Sequence, residues 1–78
     1  MGTVTHYFPK VRAAAVKVEK ISLTVGDRLI FRGKKGEFRQ VLNSLQISRI
    51  PVESARRGEE VGIEVKQQVR EGDKVFKV

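Results

Sequence analysis

The sequence predicts an all-β fold, a small closed six-stranded β-barrel formed by residues 1–78 as one domain. Three observations point there: a glycine-led phrase used three times, period-two alternation of apolar residues, and short turn signals where helical runs would otherwise stand. The phrase occurs as "VGDRLIF" at 25–31, "RGEEVGI" at 57–63 and "EGDKVFK" at 71–77. Each copy has a glycine, an acidic residue, one variable position, and an aliphatic residue opening a β-favouring run. Glycine takes the positive φ of a tight turn at little steric cost, and the acidic side chain accepts hydrogen bonds from nearby amides. The phrase is therefore a strand initiator. Its glycines are spaced by 32 and then 14 residues, too unequally for a repeat protein.

The elements follow in order. Val4, His6 and Phe8 alternate with Thr3, Thr5 and Tyr7, giving a first strand with His6 packed at the barrel edge. The next segment is ambiguous: Val11, Ala14, Ala15 and Val18 fit helical spacing, and alanine favours helix. Against this, Val16 to Glu19 alternates, and Pro9, Ile21, Leu23 and Val25 suit extended chain, so it is assigned as strand. Leu29 and Phe31 share one face of a third strand, with Arg28, Ile30 and Arg32 on the other. "RGKKGE" then forms a short hairpin loop. Val41, Leu45 and Ile47 line one face of a longer strand interrupted at Asn43. "PVESARRG" (51–58) is the one longer connection, with room for a single helical turn. Val61, Ile63 and Val65 alternate with Gly62, Glu64 and Lys66, and Val75 to Val78 closes the chain as a last strand. Closing such strands into a cylinder buries their apolar faces and removes the exposed sheet edges.

Composition narrows the function. A chain of 78 residues supports one thin core. It contains no cysteine and a single histidine, so neither a disulfide nor a thiolate or multi-histidine zinc site is expected, and no cofactor is implied. No apolar run approaches a membrane span and no signal-peptide pattern follows Met1, which predicts a soluble cytoplasmic protein without membrane contact. Sixteen Lys and Arg against nine Asp and Glu give a net charge of +7, which suggests a polyanionic partner such as RNA.

Catalysis finds little support. A Ser-His-Asp arrangement would have to use His6 with Asp27 or Asp73, and both aspartates already serve the turn phrase. Glu59 and Glu60 are adjacent carboxylates of a turn, expected to be solvated. No GxxxxGK[ST] motif occurs, and "GKKG" is too short to cradle phosphates. The cationic side chains, by contrast, cluster on strand faces and loop tips: Lys10 and Arg12; Arg28, Arg32, Lys34, Lys35 and Arg39; Arg49, Arg56 and Arg57. These ten are the candidate RNA-binding residues, suited to phosphate contacts. Aromatic residues are few, so backbone binding is favoured over base reading.

The blocks "KVEKISLTVGDRLIFRG", "VLNSLQI", "ESARRGEEVGIEV" and "VREGDKVFKV", in this order, resemble the second, β-barrel domain of translational GTPases such as elongation factor Tu and initiation factor two. The likeness runs from Val16 to Val78. "GTVTHYFPK" together with "VREGDKVFKV" also resembles the accessory barrel at the carboxy-terminal end of collagenase-like peptidase-family proteins. The first resemblance implies a translation-protein barrel without the GTPase domain, hence no GTP binding. It also implies contact with tRNA or rRNA: Arg49 falls at the arginine position that helps hold the aminoacyl end of tRNA, while Glu60 stands where an asparagine would be. Two functions from different classes follow. One is a stand-alone, non-catalytic barrel binding tRNA, rRNA, a ribonucleoprotein or a ribosome-associated protein through basic loops. The other is a protein-interaction module docking to a partner enzyme or translation factor.

Overall fold

The computed structural model describes residues 2–20, 22–34 and 36–78. The extended chain expected at Ile21 and the candidate Lys35 lie outside the described residues. The described residues form ten strands: β1 Gly2–Phe8, β2 Ala13–Val18, β3 Leu23–Thr24, β4 Arg28–Gly33, β5 Gly36–Val41, β6 Leu45–Ile47, β7 Ile50–Pro51, β8 Ser54–Ala55, β9 Glu60–Glu64 and β10 Lys74–Lys77. Eight of them form one antiparallel sheet in the order β5-β4-β10-β1-β2-β9-β6-β7, and β3 pairs with β8 in a second, two-stranded sheet. The all-β expectation holds.

The three glycine phrases build one device three times. Thr24–Asp27, Arg56–Glu59 and Arg70–Asp73 are β-turns in which the fourth residue's N–H donates to the first residue's carbonyl at 2.9, 3.2 and 3.0 Å. Gly26, Gly58 and Gly72 occupy the third position with φ of 100°, 93° and 92°, the left-handed value that a type II turn demands there. The acidic side chain then closes the turn a second time. Asp27 Oδ2, Glu59 Oε1 and Asp73 Oδ2 accept from the first residue's N–H at 2.8, 2.6 and 3.0 Å. Each turn also clasps one residue of a distant segment. Gly26, Gly58 and Gly72 donate to the carbonyls of Leu42, Val18 and Val4, whose N–H groups donate back to the carbonyls of Asp27, Glu59 and Asp73. All three clasped side chains are fully buried, as are Leu29, Val61 and Val75, the aliphatic residues that follow each turn. The repeated phrase thus fixes both where a strand starts and what lies beside it.

The core contains Val4, Ala14, Val16 and Val18 of β1 and β2, Leu29, Phe31 and Val75 of β4 and β10, and Leu45, Val61 and Ile63 of β6 and β9, joined by Leu23, Leu42, Ala55, Val65 and Val69. Phe31 stacks on Phe38 at 5.0 Å between ring centroids. Ala14, Val16 and Val18 are all inward, which settles the ambiguous alanine-rich segment as a strand.

Several expectations are corrected. The expected closed six-stranded barrel is not formed by a continuous ladder: the larger sheet has eight strands, and β5 and β7 end it. On the β5 side, a side chain takes over from the backbone. Gln40 Nε2 donates to the Glu64 carbonyl at 2.9 Å, and its Oε1 accepts from Lys66 N–H at 3.0 Å. Edge strand β7 is short and ends on Pro51, which has no N–H to offer a further strand. In β1, a bulge between Val4 and His6 shifts the register by one residue. His6 and Phe8 therefore point outward and Tyr7 packs on the core, reversing the alternation read from sequence. His6 is 55% exposed and is not packed at an edge. The predicted longer strand over 41–47 breaks after Val41, which is exposed; Leu42, clasped by the turn at Gly26, is the buried residue. The single helical turn allowed for within 51–58 is absent: β8 and the second clasp occupy that stretch.

Candidate functional site

The nine candidate cations among the described residues do not converge. Lys10 and Arg12 lie in the β1–β2 connection, Arg49 in the β6–β7 turn, and Arg56 and Arg57 in the β8–β9 turn, while Arg28, Arg32 and Arg39 project from β4 and β5, with Lys34 in the turn that joins them. Pairing registers sort the strand residues onto two outer faces.

The first is a groove of about 790 Å³ over β2, β9 and β6. The middle of its floor is made of small residues, Ala13, Ala15 and Gly62, bordered by Gln46 and Glu64. Ala15 lies opposite Gly62, which lies opposite Gln46, and Ala13 lies opposite Glu64. Phe8 forms one wall, its ring packed against His6 at 4.4 Å, and Lys10 and Val11 extend it. Ser48 and Arg49 form the other wall. The turn carrying them is a two-residue hairpin between Ile47 and Ile50, with φ of 52° at Ser48 and 66° at Arg49. Positive φ at both positions is the type I′ arrangement, normally filled by Asn-Gly. Arg12 also has φ of 52°, and its carbonyl accepts from Val65 N–H at 2.9 Å. Glu60 lies at the groove too, held by the Thr5 hydroxyl, which donates to Oε2 at 2.6 Å. Neither member of the acidic pair at 59–60 is simply solvated: Glu59 closes its turn and Glu60 is anchored to β1. Sequence reasoning missed this floor, although "AAAV" opposite "VGI" carries its signal, a strand whose outward positions have almost no side chain.

The second face covers β10, β4 and β5. Phe76 lies opposite Ile30, which lies opposite Arg39; Lys74 lies opposite Arg32, which lies opposite Glu37; and Arg28 lies opposite Val41. Val78 N–H donates to the Arg28 carbonyl at 2.9 Å, extending that row. Arg32 Nε bonds Glu37 Oε1 at 2.9 Å, and its guanidinium stands 5.0 Å from the centre of the Phe76 ring.

Among the described residues, no group of three or more His, Cys, Asp or Glu is placed to hold a metal ion. The one imidazole, His6, has its Nδ1 3.6 Å from Glu71 Oε2, a pair exposed on both sides. No helix among the described residues is long and apolar enough to cross a membrane.

Comparison with known proteins places this architecture. No family model matches the chain. Over 77 residues it is 36% identical to an uncharacterized protease of Methanocaldococcus jannaschii, a match covering 97% of the chain and 19% of that protein. A collagenase of Porphyromonas gingivalis is 28% identical over 78 residues, covering 99% of the chain and 22% of the collagenase. The chain thus spans about a fifth of the length of the curated relatives it matches. Among solved structures, the C-terminal domain of a Geobacillus thermoleovorans protein placed among the U32 peptidases superimposes with a TM-score of 0.91 at 24% identity, covering 99% of this chain and 89% of that one. These findings overturn the expectation of a translation protein that binds tRNA or rRNA: the relatives are a protease and collagenases, and none is a translation factor. Of the two resemblances seen in the sequence, the one to peptidase-family proteins is supported. The chain has relatives named as a protease and as collagenases, and its fold is that of the C-terminal domain of the Geobacillus thermoleovorans protein.

Proposed function

We propose that residues 1–78 form one non-catalytic accessory domain that serves a peptidase-family protein by docking to its peptidase part. The observation carrying this reading is that almost the whole chain aligns with only a fifth of a protease, while the fold is that of a domain at the C-terminal end of a U32 peptidase. A segment so small relative to its relatives leaves most of their length to carry the chemistry. The residues agree: the sole histidine is exposed beside Glu71, and the acidic groups at 27, 59 and 73 are each committed to closing a turn. Inter-domain contacts of this kind are modest in area and rely on complementary faces, and both outer faces described above offer such surfaces.

The test mixes this chain with the Methanocaldococcus jannaschii relative truncated to remove the matching segment. Gelatin hydrolysis and sedimentation are then measured. The chain alone is expected to leave gelatin intact and to co-sediment with the truncated protein. Hydrolysis by the chain alone, or no association with a truncated protein that is itself folded, overturns the proposal.

A further inference from the structure

The outer face of β10, β4 and β5 combines features that the fold itself does not use. Ile30 and Phe76 lie side by side in its middle row and are half-buried, while Val41 and Val78, 44% and 68% exposed, flank Arg28 in the next row. Arg32 and Lys74 form the row on the other side, and Arg39 ends the middle one. Among the described residues, Arg32 alone of these four cations has an acidic partner, Glu37; Lys74 reaches only the Thr3 hydroxyl, at 3.2 Å. Like charges on neighbouring sheet positions oppose pairing, so this arrangement costs the isolated sheet stability. Arg32 is nonetheless held in place, by Glu37 on one side and the Phe76 ring on the other.

We infer that this face docks an acidic protein surface that also carries apolar groups; this rests on the accessory-domain reading above and names the partner chemistry that reading requires. Carboxylates would answer Arg28, Arg39 and Lys74 at the rim, while apolar groups cover Ile30, Phe76, Val41 and Val78. A nucleic acid would satisfy the cations but leave the apolar groups facing water, so the mixture favours protein. Three strands and five residues of length give a face of roughly 14 by 17 Å, about 240 Å², so this face is the centre of the contact and neighbouring residues complete the area that domains of one assembly share.

The experiment is a titration of the isotopically labelled chain, followed by amide NMR, with a random copolymer of glutamate and tyrosine, with polyglutamate, and with polyuridylate. The copolymer is expected to shift the amides of Ile30, Arg39, Val41 and Phe76 and to bind about tenfold more tightly than polyglutamate. The triple variant R28E/R39E/K74E should lose about tenfold or more in copolymer affinity, and R56E/R57E far less. R39E alone serves if the triple variant loses its dispersed spectrum. Equal binding of all three polymers would reduce the effect to general attraction of polyanions and overturn the inference. Shifts centred on the groove or on the turn at 56–57 would also overturn it, while leaving the accessory-domain reading to stand or fall on the association measured above.

Discussion

Replacing Gly26, Gly58 or Gly72 by alanine isolates the physical basis of the repeated turn. At each position φ lies between 92° and 100°, and a Cβ built on the backbone would meet no atom within 4 Å. Packing therefore contributes nothing, and the cost is the torsional penalty of an L-residue in left-handed backbone, about 1–2 kcal/mol. Because local geometry and the clasp are the same in all three turns, the three variants should lose stability equally, within about 0.5 kcal/mol. For a domain of this size, each kilocalorie lowers the melting temperature by about 4–8 °C. Urea denaturation and thermal melts of G26A, G58A and G72A measure both quantities. Asparagine, which tolerates left-handed backbone better than alanine does, should recover part of the loss at each site. Three costs differing by more than about 1 kcal/mol, or a cost near zero at any one site, would refute the view that one torsional requirement underlies all three phrases.

Other outcomes follow from the same structure. The S48N/R49G variant replaces two non-glycine residues at positive φ with the preferred type I′ pair and should gain about 1 kcal/mol or more in urea denaturation. Q40A removes both bonds that tie β5 to the chain after β9. It should cost about 1–3 kcal/mol and speed hydrogen exchange at the Lys66 amide above any other change. L42A should cost about 2–5 kcal/mol in denaturant, because Leu42 is fully buried, whereas V41A, at an exposed edge position, should cost less than about 0.5 kcal/mol.

What was legible in the sequence is what has a local cause. The turn phrases, the β4–β5 hairpin and the alternation at 28–32 and 61–65 depend on residue type and neighbours, and the structure has them as read. What escaped depends on partners far along the chain. The bulge in β1 arises because β2 presents one residue where β1 presents two, and nothing in "GTVTHYF" marks it. Leu42 rather than Val41 turns inward because the Gly26 turn clasps it, a contact with no local signature. The Ser48–Arg49 turn lacks the Asn-Gly cue, and Gln40 looks like any polar residue of an alternating strand until the chain near Lys66 is beside it. For function, a net charge of +7 suggests a polyanionic partner. Charge alone does not separate a phosphate backbone from an acidic protein face, and the neighbours of those cations appear only once β10 lies beside β4.

The clasps also set an order in time. Their bonds join residue 26 to 42, 58 to 18 and 72 to 4, so the last encloses nearly all of the chain and both others nest inside it. Ring-closure entropy rises with the length enclosed, so the innermost link can form early, whereas the outermost waits for the rest. During synthesis on a ribosome, β1 has no partner at its β10 edge until residues 74 and 75 have cleared the exit tunnel. A nascent chain stalled before that point would hold its first strand half-paired, open to capture by chaperones or by another copy.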